Sequence, residues 1–455
     1  MKNISRNFIC FSALFILLFA TVPAAHAATY YVATTGSNSS PGTEASPWKT
    51  IAHATKRLKE GDTIFVRGGV YNETDYIRIS KSNVKLMNAP GESPVIDCDY
   101  PVRSHGIFVQ STEKMSIAPD GDITEAPIGN ITIEGFEIRN CLTAMRLNSV
   151  HDVTIRRNWI HDNDAQGILG DMLRPLIDRN VINHNGGFAR CEAGALTKGG
   201  TSVCNQMHGL YLTGSDYVIT NNLIYDNLAS GIHMAGYPWD LSKYNSIIKG
   251  RRGATPEYAG ANNWLVANNT IAYNHYGPGI IVWQAGAANS KIINNILYEN
   301  EHKRPSASAQ GVGFTVVTGG GHVIENNICH ATSPGGLRCI GDKPGKYTAT
   351  GNMENTLPGF EGAGPMPMAV PNFKLRAGSP AIDKGQNLLP LVTWDHQGIK
   401  RPAGAAFDIG AYEFCPTGTV CESGSPPPNP TGGGSFTPGV PVLLGPNGEV
   451  CPSGY

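Results

Sequence analysis

The sequence predicts an all-β fold, a right-handed parallel β-helix, and three observations carry that expectation. A short phrase, an apolar-alternating run ending in an Asn-rich turn, recurs seven times between Asn130 and Ala331. The copies are NITIEGFEIRN from Asn130, DVTIRRNWIHDN from Asp152, PLIDRNVINHN from Pro175, YVITNNLIYDN from Tyr217, WLVANNTIAYN from Trp264, KIINNILYEN from Lys291 and HVIENNICHA from His322. Their apolar anchors, Ile138, Ile160, Ile182, Ile224, Ile271, Ile296 and Ile328, are spaced by 22, 22, 42, 47, 25 and 32 residues. A third apolar-alternating run follows most copies, at Thr143, Gln166, His208, Ser230, Pro278 and Gln310, so each coil holds three short strands. Such a unit buries its apolar face only by stacking on its neighbours, which makes a solenoid.

In chain order, Lys2, Arg6, the apolar run Phe8 to Ala20 and the small residues around Ala25 and Ala27 read as a secretory signal over residues 1–27. Residues 28–414 form the expected solenoid domain. Its first part, Thr29 to Tyr71, holds a strand, a Gly/Ser/Pro turn and an amphipathic helical stretch from Trp48 to Lys59, suited to cap the open end where apolar surface and strand edges would be exposed. In the coils, paired Asn residues such as Asn221 and Asn222 suit left-handed turn positions and ladders along the axis. Residues 415–455 are too rich in Pro and Gly for a core and are expected to be a flexible tail.

The 35 Lys plus Arg nearly balance 36 Asp plus Glu, and loss of Lys2 and Arg6 with the signal leaves a slightly acidic chain. That balance argues against nucleic acid or an anionic membrane as partner. No later apolar run approaches the length of a membrane span, so an exported, soluble and monomeric protein is expected. In an oxidising compartment Cys191/Cys204, Cys329/Cys339 and Cys415/Cys421 are candidate disulfides, with Cys98/Cys141 across coils and Cys451 left over. No Cys-x-x-Cys or paired Cys/His spacing marks a metal site.

The segment from Thr29 to Tyr71 resembles the opening region of secreted bacterial right-handed β-helix proteins of the pectate-lyase superfamily. NFKLRAGSPAIDKG from Asn372 and FDIGAYEF from Phe407 resemble their closing region. The resemblance implies the fold and a polysaccharide partner, and leaves the reaction open. It raises calcium as the one metal to consider, because calcium-dependent pectate lyases of this superfamily gather acidic residues beside a Lys or Arg. Here the nearest candidates are Asp162, Asp164 and Asp171, which also read as a polar turn, and the Asp-Pro-His site of secreted mannuronan epimerases is absent. No cofactor is assigned.

Side chains alternate on a strand, so aligning Gly167, Gly209, Gly231 and Gly279 sends Ile168, Leu210, Ile232 and Ile280 inward. Leu169, Tyr211, His233 and Ile281 then point outward, preceded by Gln166, His208, Ser230 and Pro278 and followed by Asp171, Thr213, Ala235 and Trp283. Coils stack about 4.8 Å apart, which makes Tyr211 and His233 neighbours with His208 one pleat away. Two insertions, Gly187 to Gln206 and Tyr237 to Ala261, rise beside this patch. They bring Lys198, Trp239, Asp240, Lys243, Tyr244, Arg251 and Arg252, aromatic faces and cations suited to a sugar acid.

These residues point to a polysaccharide lyase acting on a uronic-acid polymer. Elimination removes the proton α to the carboxylate and needs a base, an acid and charge neutralisation. The candidate catalytic residues are His208, Tyr211, His233, Lys198, Arg251 and Arg252, and the candidate substrate-binding residues are Trp239, Tyr244, Trp283 and Gln166. Three alternatives stay open: a uronate epimerase, a glycoside hydrolase built on Glu192, Asp240 or Asp171, and an adhesin-like solenoid using Trp239, Tyr244 and Trp283 as a stacking platform.

Overall fold

The computed structural model describes residues 27–111, 128–194, 204–236, 258, 260–283, 286–301, 313–314, 319–332, 339–341, 345–363, 371–416 and 418–423. The backbone alone is described for short strands at 116–117, 123–124, 197–198, 201–202 and 315–316. Three parallel ladders run along the axis. The first begins at Thr29–Val32 and Thr63–Val66 and continues through Val218–Thr220 and Leu265–Ala267 to Tyr347–Thr350. The second is a nine-stranded sheet from Gly69–Tyr71 to Ile328–His330. The third, the site ladder, includes Ile168–Leu173, Leu210–Ser215, Ile232–Ala235 and Ile280–Trp283. The unbroken strand Thr143–Arg156 crosses from the third ladder into the first, so those two make one 19-stranded sheet.

The interior is built from register-matched apolar stacks. Ile138, Ile160, Ile182, Ile224 and Ile271 pair in succession along the second ladder. Ile168, Leu210, Ile232 and Ile280 do so along the third, all of them fully buried. Each such side chain contributes about 1.5–3 kcal/mol.

The anchor series departs from expectation at its last two copies. Ile271 pairs with Leu297, and Leu297 with Cys329, so Leu297 and Cys329 fill the core while Ile296 and Ile328 face outward. The physical reason lies in the closing segment. Phe373, Leu375, Ile409 and Ala411 pack over that outer face against Ile296, Tyr298 and Ile328, and a strand covered on both sides loses its apolar-polar alternation. Asn268 donates to the Asp408 and Gly410 carbonyls, and a fully buried Arg401–Glu413 ion pair reaches Asn221, anchoring the closing segment across coils.

The paired Asn residues divide their work. Asn221, Asn268, Asn294 and Asn326 take left-handed backbone conformations. Their successors Asn222, Asn269, Asn295 and Asn327 form a buried ladder in which each side-chain oxygen accepts from the preceding coil's amide at 2.8–3.0 Å. A second ladder joins Asn163, Asn185, Asn227, Asn274 and Asn300. Leaving one of these amides unpaired costs about 1–3 kcal/mol.

The helical stretch near the N-terminus is shorter than expected, Ile51–Thr55, begun by Thr50, whose hydroxyl accepts from the His53 amide. Trp48 lies outside it, its ring stacked on Tyr30 and its backbone bridged to Val32. Disulfides join Cys98 to Cys141, Cys191 to Cys204, Cys329 to Cys339 and Cys415 to Cys421. Among the described residues no helix is long and apolar enough to cross a membrane. Of the expected signal over residues 1–27 all but Ala27, and of the expected tail over residues 415–455 residue 417 and everything from residue 424, lie outside the described residues, with Cys10 and Cys451.

Candidate functional site

Register brings the sequence-predicted patch together. Leu169 pairs with Tyr211, Tyr211 with His233, and His233 with Ile281, so no coil intervenes between His208 and His233. The Tyr211 ring meets the His233 ring edge-on at 4.6 Å and lies over His208 at 5.6 Å. His208 Nδ1 accepts from the Ser230 backbone N–H at 3.1 Å, and His208 Nε2 lies 2.9 Å from His233 Nδ1. His233 Nε2 is buried and has no hydrogen-bond partner among the described residues. Tyr211 is half-buried and forms the outward edge of the cluster.

Burial sets the charge state. Desolvation pushes His233 down to about 3, and desolvation, followed by repulsion from His233, holds His208 well below the ordinary histidine range. Both imidazoles are therefore neutral at physiological pH.

The other predicted residues separate. Trp283 pairs with Ala235 of the preceding coil and is 43% exposed. Gln166 is tied to the end of the first insertion, its amide donating to the Gln206 carbonyl at 3.2 Å. That insertion folds into the helix Phe188–Glu192, and its Cys191–Cys204 disulfide packs on Leu228. Lys198 lies on the short strand pair Thr197–Lys198/Thr201–Ser202, with its side chain outside the described residues. The second insertion leaves the coil at Gly236 and returns at Gly260; Trp239, Asp240, Lys243, Tyr244, Arg251 and Arg252 lie outside the described residues.

The acidic candidates do not converge. Asp162 pairs with His161, Asp164 with Arg190, and Asp171 is buried, accepting from the Ser149 amide and hydroxyl at 2.7 and 2.8 Å. Among the described residues no three His, Cys, Asp or Glu side chains are placed to hold a metal ion. These residues do not fit a calcium centre of the kind the resemblance raised.

Sequence alignment on the glycines missed Arg146. It pairs with Leu169, and so shares the outward column two coils before Tyr211 and three before His233; Phe108 and Arg78 extend that column further. The coil at Thr143 has no glycine to set the register, but its alternation, with Met145 and Leu147 buried and Arg146 between them, held the signal.

Family comparison agrees with the ladders. A model described as "Pel9A-like, right handed beta helix region" matches residues 30–193, and one described as "Right handed beta helix region" matches residues 199–353. The chain is a right-handed parallel β-helix protein. It is 25% identical over 379 residues, 66% of this chain and 80% of the relative, to the uncharacterized protein YwoF of Bacillus subtilis (strain 168). Over 83 residues, 17% of this chain and 20% of the relative, it is 39% identical to the pectate lyase PEL9 of Emericella nidulans. Among solved structures, pectate lyase Pel9A aligns with a TM-score of 0.48 at 13% identity, covering 85% of this β-helix and 96% of that chain.

Proposed function

We propose that this β-helix protein is an extracytoplasmic polysaccharide lyase that cleaves a uronic-acid-containing polymer by β-elimination. The observation that carries the reading is the coil-adjacent Tyr211, His233 and His208, with a buried His233 nitrogen that lacks a partner among the described residues. Satisfied structural polar groups close their hydrogen bonds internally, so an orphaned one marks a place where a ligand completes the set. The pectate lyase relative supports an acidic sugar as substrate, and four disulfides fit an oxidising compartment.

In this reaction the C5–H and C4–O bonds of the sugar break and a C4=C5 double bond forms. The C5 proton passes to a base, and the departing oxygen takes a proton. Tyr211 and His233 sit where those transfers occur, and His208 orients His233. Arg146, with Arg78 further along, offers guanidinium groups to carboxylates of flanking sugars. Arg251, Arg252 and Lys198 supply further cations from the insertions, Trp239 and Tyr244 further ring faces, and Trp283 a stacking face one coil beyond His233.

The test is ultraviolet absorbance of the new C=C–carboxylate chromophore with purified protein on pectate, alginate and glycosaminoglycans, with and without calcium. Rising absorbance that is abolished by Tyr211→Phe and His233→Gln is expected. Flat absorbance on every polymer overturns the reading, and reducing-end release or simple retention on the polymer then identifies a hydrolase or a binder.

A further inference from the structure

We propose that the Ser230 backbone N–H, acting through His208, fixes His233 as its Nε2–H tautomer, so that the site meets its ligand with a neutral hydrogen-bond donor and recognises an acceptor oxygen. The ligand assignment rests on the uronate reading above; the tautomer assignment does not.

The argument is a proton count. A backbone N–H can only donate, so His208 Nδ1, 3.1 Å from the Ser230 nitrogen, must present a lone pair. A neutral imidazole carries one proton, which therefore resides on His208 Nε2. That proton points at His233 Nδ1, 2.9 Å away, which must accept it. His233, also neutral, is left with its single proton on Nε2, the atom with no partner among the described residues. No carboxylate or cation among the described residues bonds to either ring, so among them the Ser230 amide alone sets the direction.

His208 is then a positioning residue. Its hydrogen bond selects which His233 nitrogen carries the proton and so what that ring offers a ligand. A sugar offers two acceptors of the right kind, a uronate carboxylate oxygen and a glycosidic oxygen. With His233 committed as donor, Tyr211 is left as the group that takes the C5 proton, which it does as the phenolate, ending the step as the neutral phenol.

The experiment uses the full chain labelled with nitrogen-15 at histidine and a long-range proton–nitrogen correlation spectrum at neutral pH. Both His208 and His233 are expected to show the neutral Nε2–H pattern. An Nδ1–H or cationic pattern for His233 overturns the proposal, whatever the outcome of the lyase assay. His208→Gln, whose amide places a donor at the ε position, is expected to keep the His233 pattern. His208→Met, which fills the space without a donor, is expected to lose it.

Affinity for a pectate oligomer by calorimetry should fall about tenfold in His208→Met and little in His208→Gln, the effect of one hydrogen bond near 1.4 kcal/mol. A carboxyl-reduced oligomer separates the two acceptors. The same tenfold difference on it assigns the glycosidic oxygen, and no difference assigns the carboxylate. Unchanged pectate-oligomer affinity in His208→Met, or no binding of that oligomer by the unaltered protein, overturns the ligand assignment. If His208→Met does not fold, the spectrum of the unaltered protein decides the tautomer alone.

Discussion

Two groups of histidines belong to consecutive stretches of the same coils, the turns after the second ladder and the strands of the third, and differ in what surrounds them. At the turns after the second ladder, Glu137, His161, Asp162, His184, Asp226 and His275 alternate acid and imidazole; His161 lies 3.3 Å from Glu137, and Asp226 accepts from His184 at 2.9 Å and His275 at 2.7 Å. Burial alone would lower His161 and His184, but hydrogen bonds to Asp162, Glu137 and Asp226 outweigh it and raise both. The same bonds overcome desolvation at Asp226 and lower it to about 2. In the site ladder the hydrogen-bond partners of His208 and His233 among the described residues are each other and a backbone amide, and desolvation goes unanswered. The carboxylates answer the burial cost of the first group, and no carboxylate among the described residues does so for His208 and His233.

The largest expected effect separates the groups by activity. His233→Gln, which roughly preserves the buried volume, should lower the elimination rate by about two to four orders of magnitude. Asp226→Asn should leave that rate within about twofold, and a comparable rate loss in both would erase the distinction. Stability should show the reverse. Asp226→Asn strips the charged partner from two histidines and should cost about 1–3 kcal/mol in denaturant unfolding, with His233→Gln costing less.

The pH dependence of stability should have opposite signs in the two groups. His233 and His208 bind protons less readily folded than unfolded, so their contribution weakens as pH falls from about 6.5 toward 3. His184 binds protons more readily folded, so its contribution is complete below about 6.5 and fades as pH rises through its raised value. Unfolding curves from pH 3 to 8 should therefore flatten on the acid side in His208→Met and on the neutral side in Asp226→Asn. Identical slopes in both variants would contradict the assignment. The smallest effect belongs to Trp283→Ala, which should weaken oligomer binding by about 1 kcal/mol, a few-fold in Kd, with the rate at saturation unchanged.

Much of the site was legible before the structure because glycines marked the register of four coils. Gly167, Gly209, Gly231 and Gly279 placed Tyr211 beside His233, and the ladder pairs them so. Arg146 escaped because its coil has no such glycine. Ile296 and Ile328 read as interior anchors because both faces of their strands are apolar, and only the closing segment packed outside explains why. The role of Asn222 as a ladder member and Asn221 as a left-handed turn is a division that identical neighbouring residues do not announce.

The sequence by itself determined the solenoid, its three strands per coil and the meeting of Tyr211 with His233, because stacking enforces one repeat-to-repeat register and alternation reports which side is buried; it offered the four disulfide pairs only as candidates, which the structure then joined. Tertiary structure alone decided the direction of the protons and the fate of the carboxylates. Those depend on whether an acceptor lies 3 Å or 6 Å away, and no spacing along the chain encodes that difference. The Ser230 amide carries no side-chain signal at all, yet it orders the two imidazoles at the centre of the site.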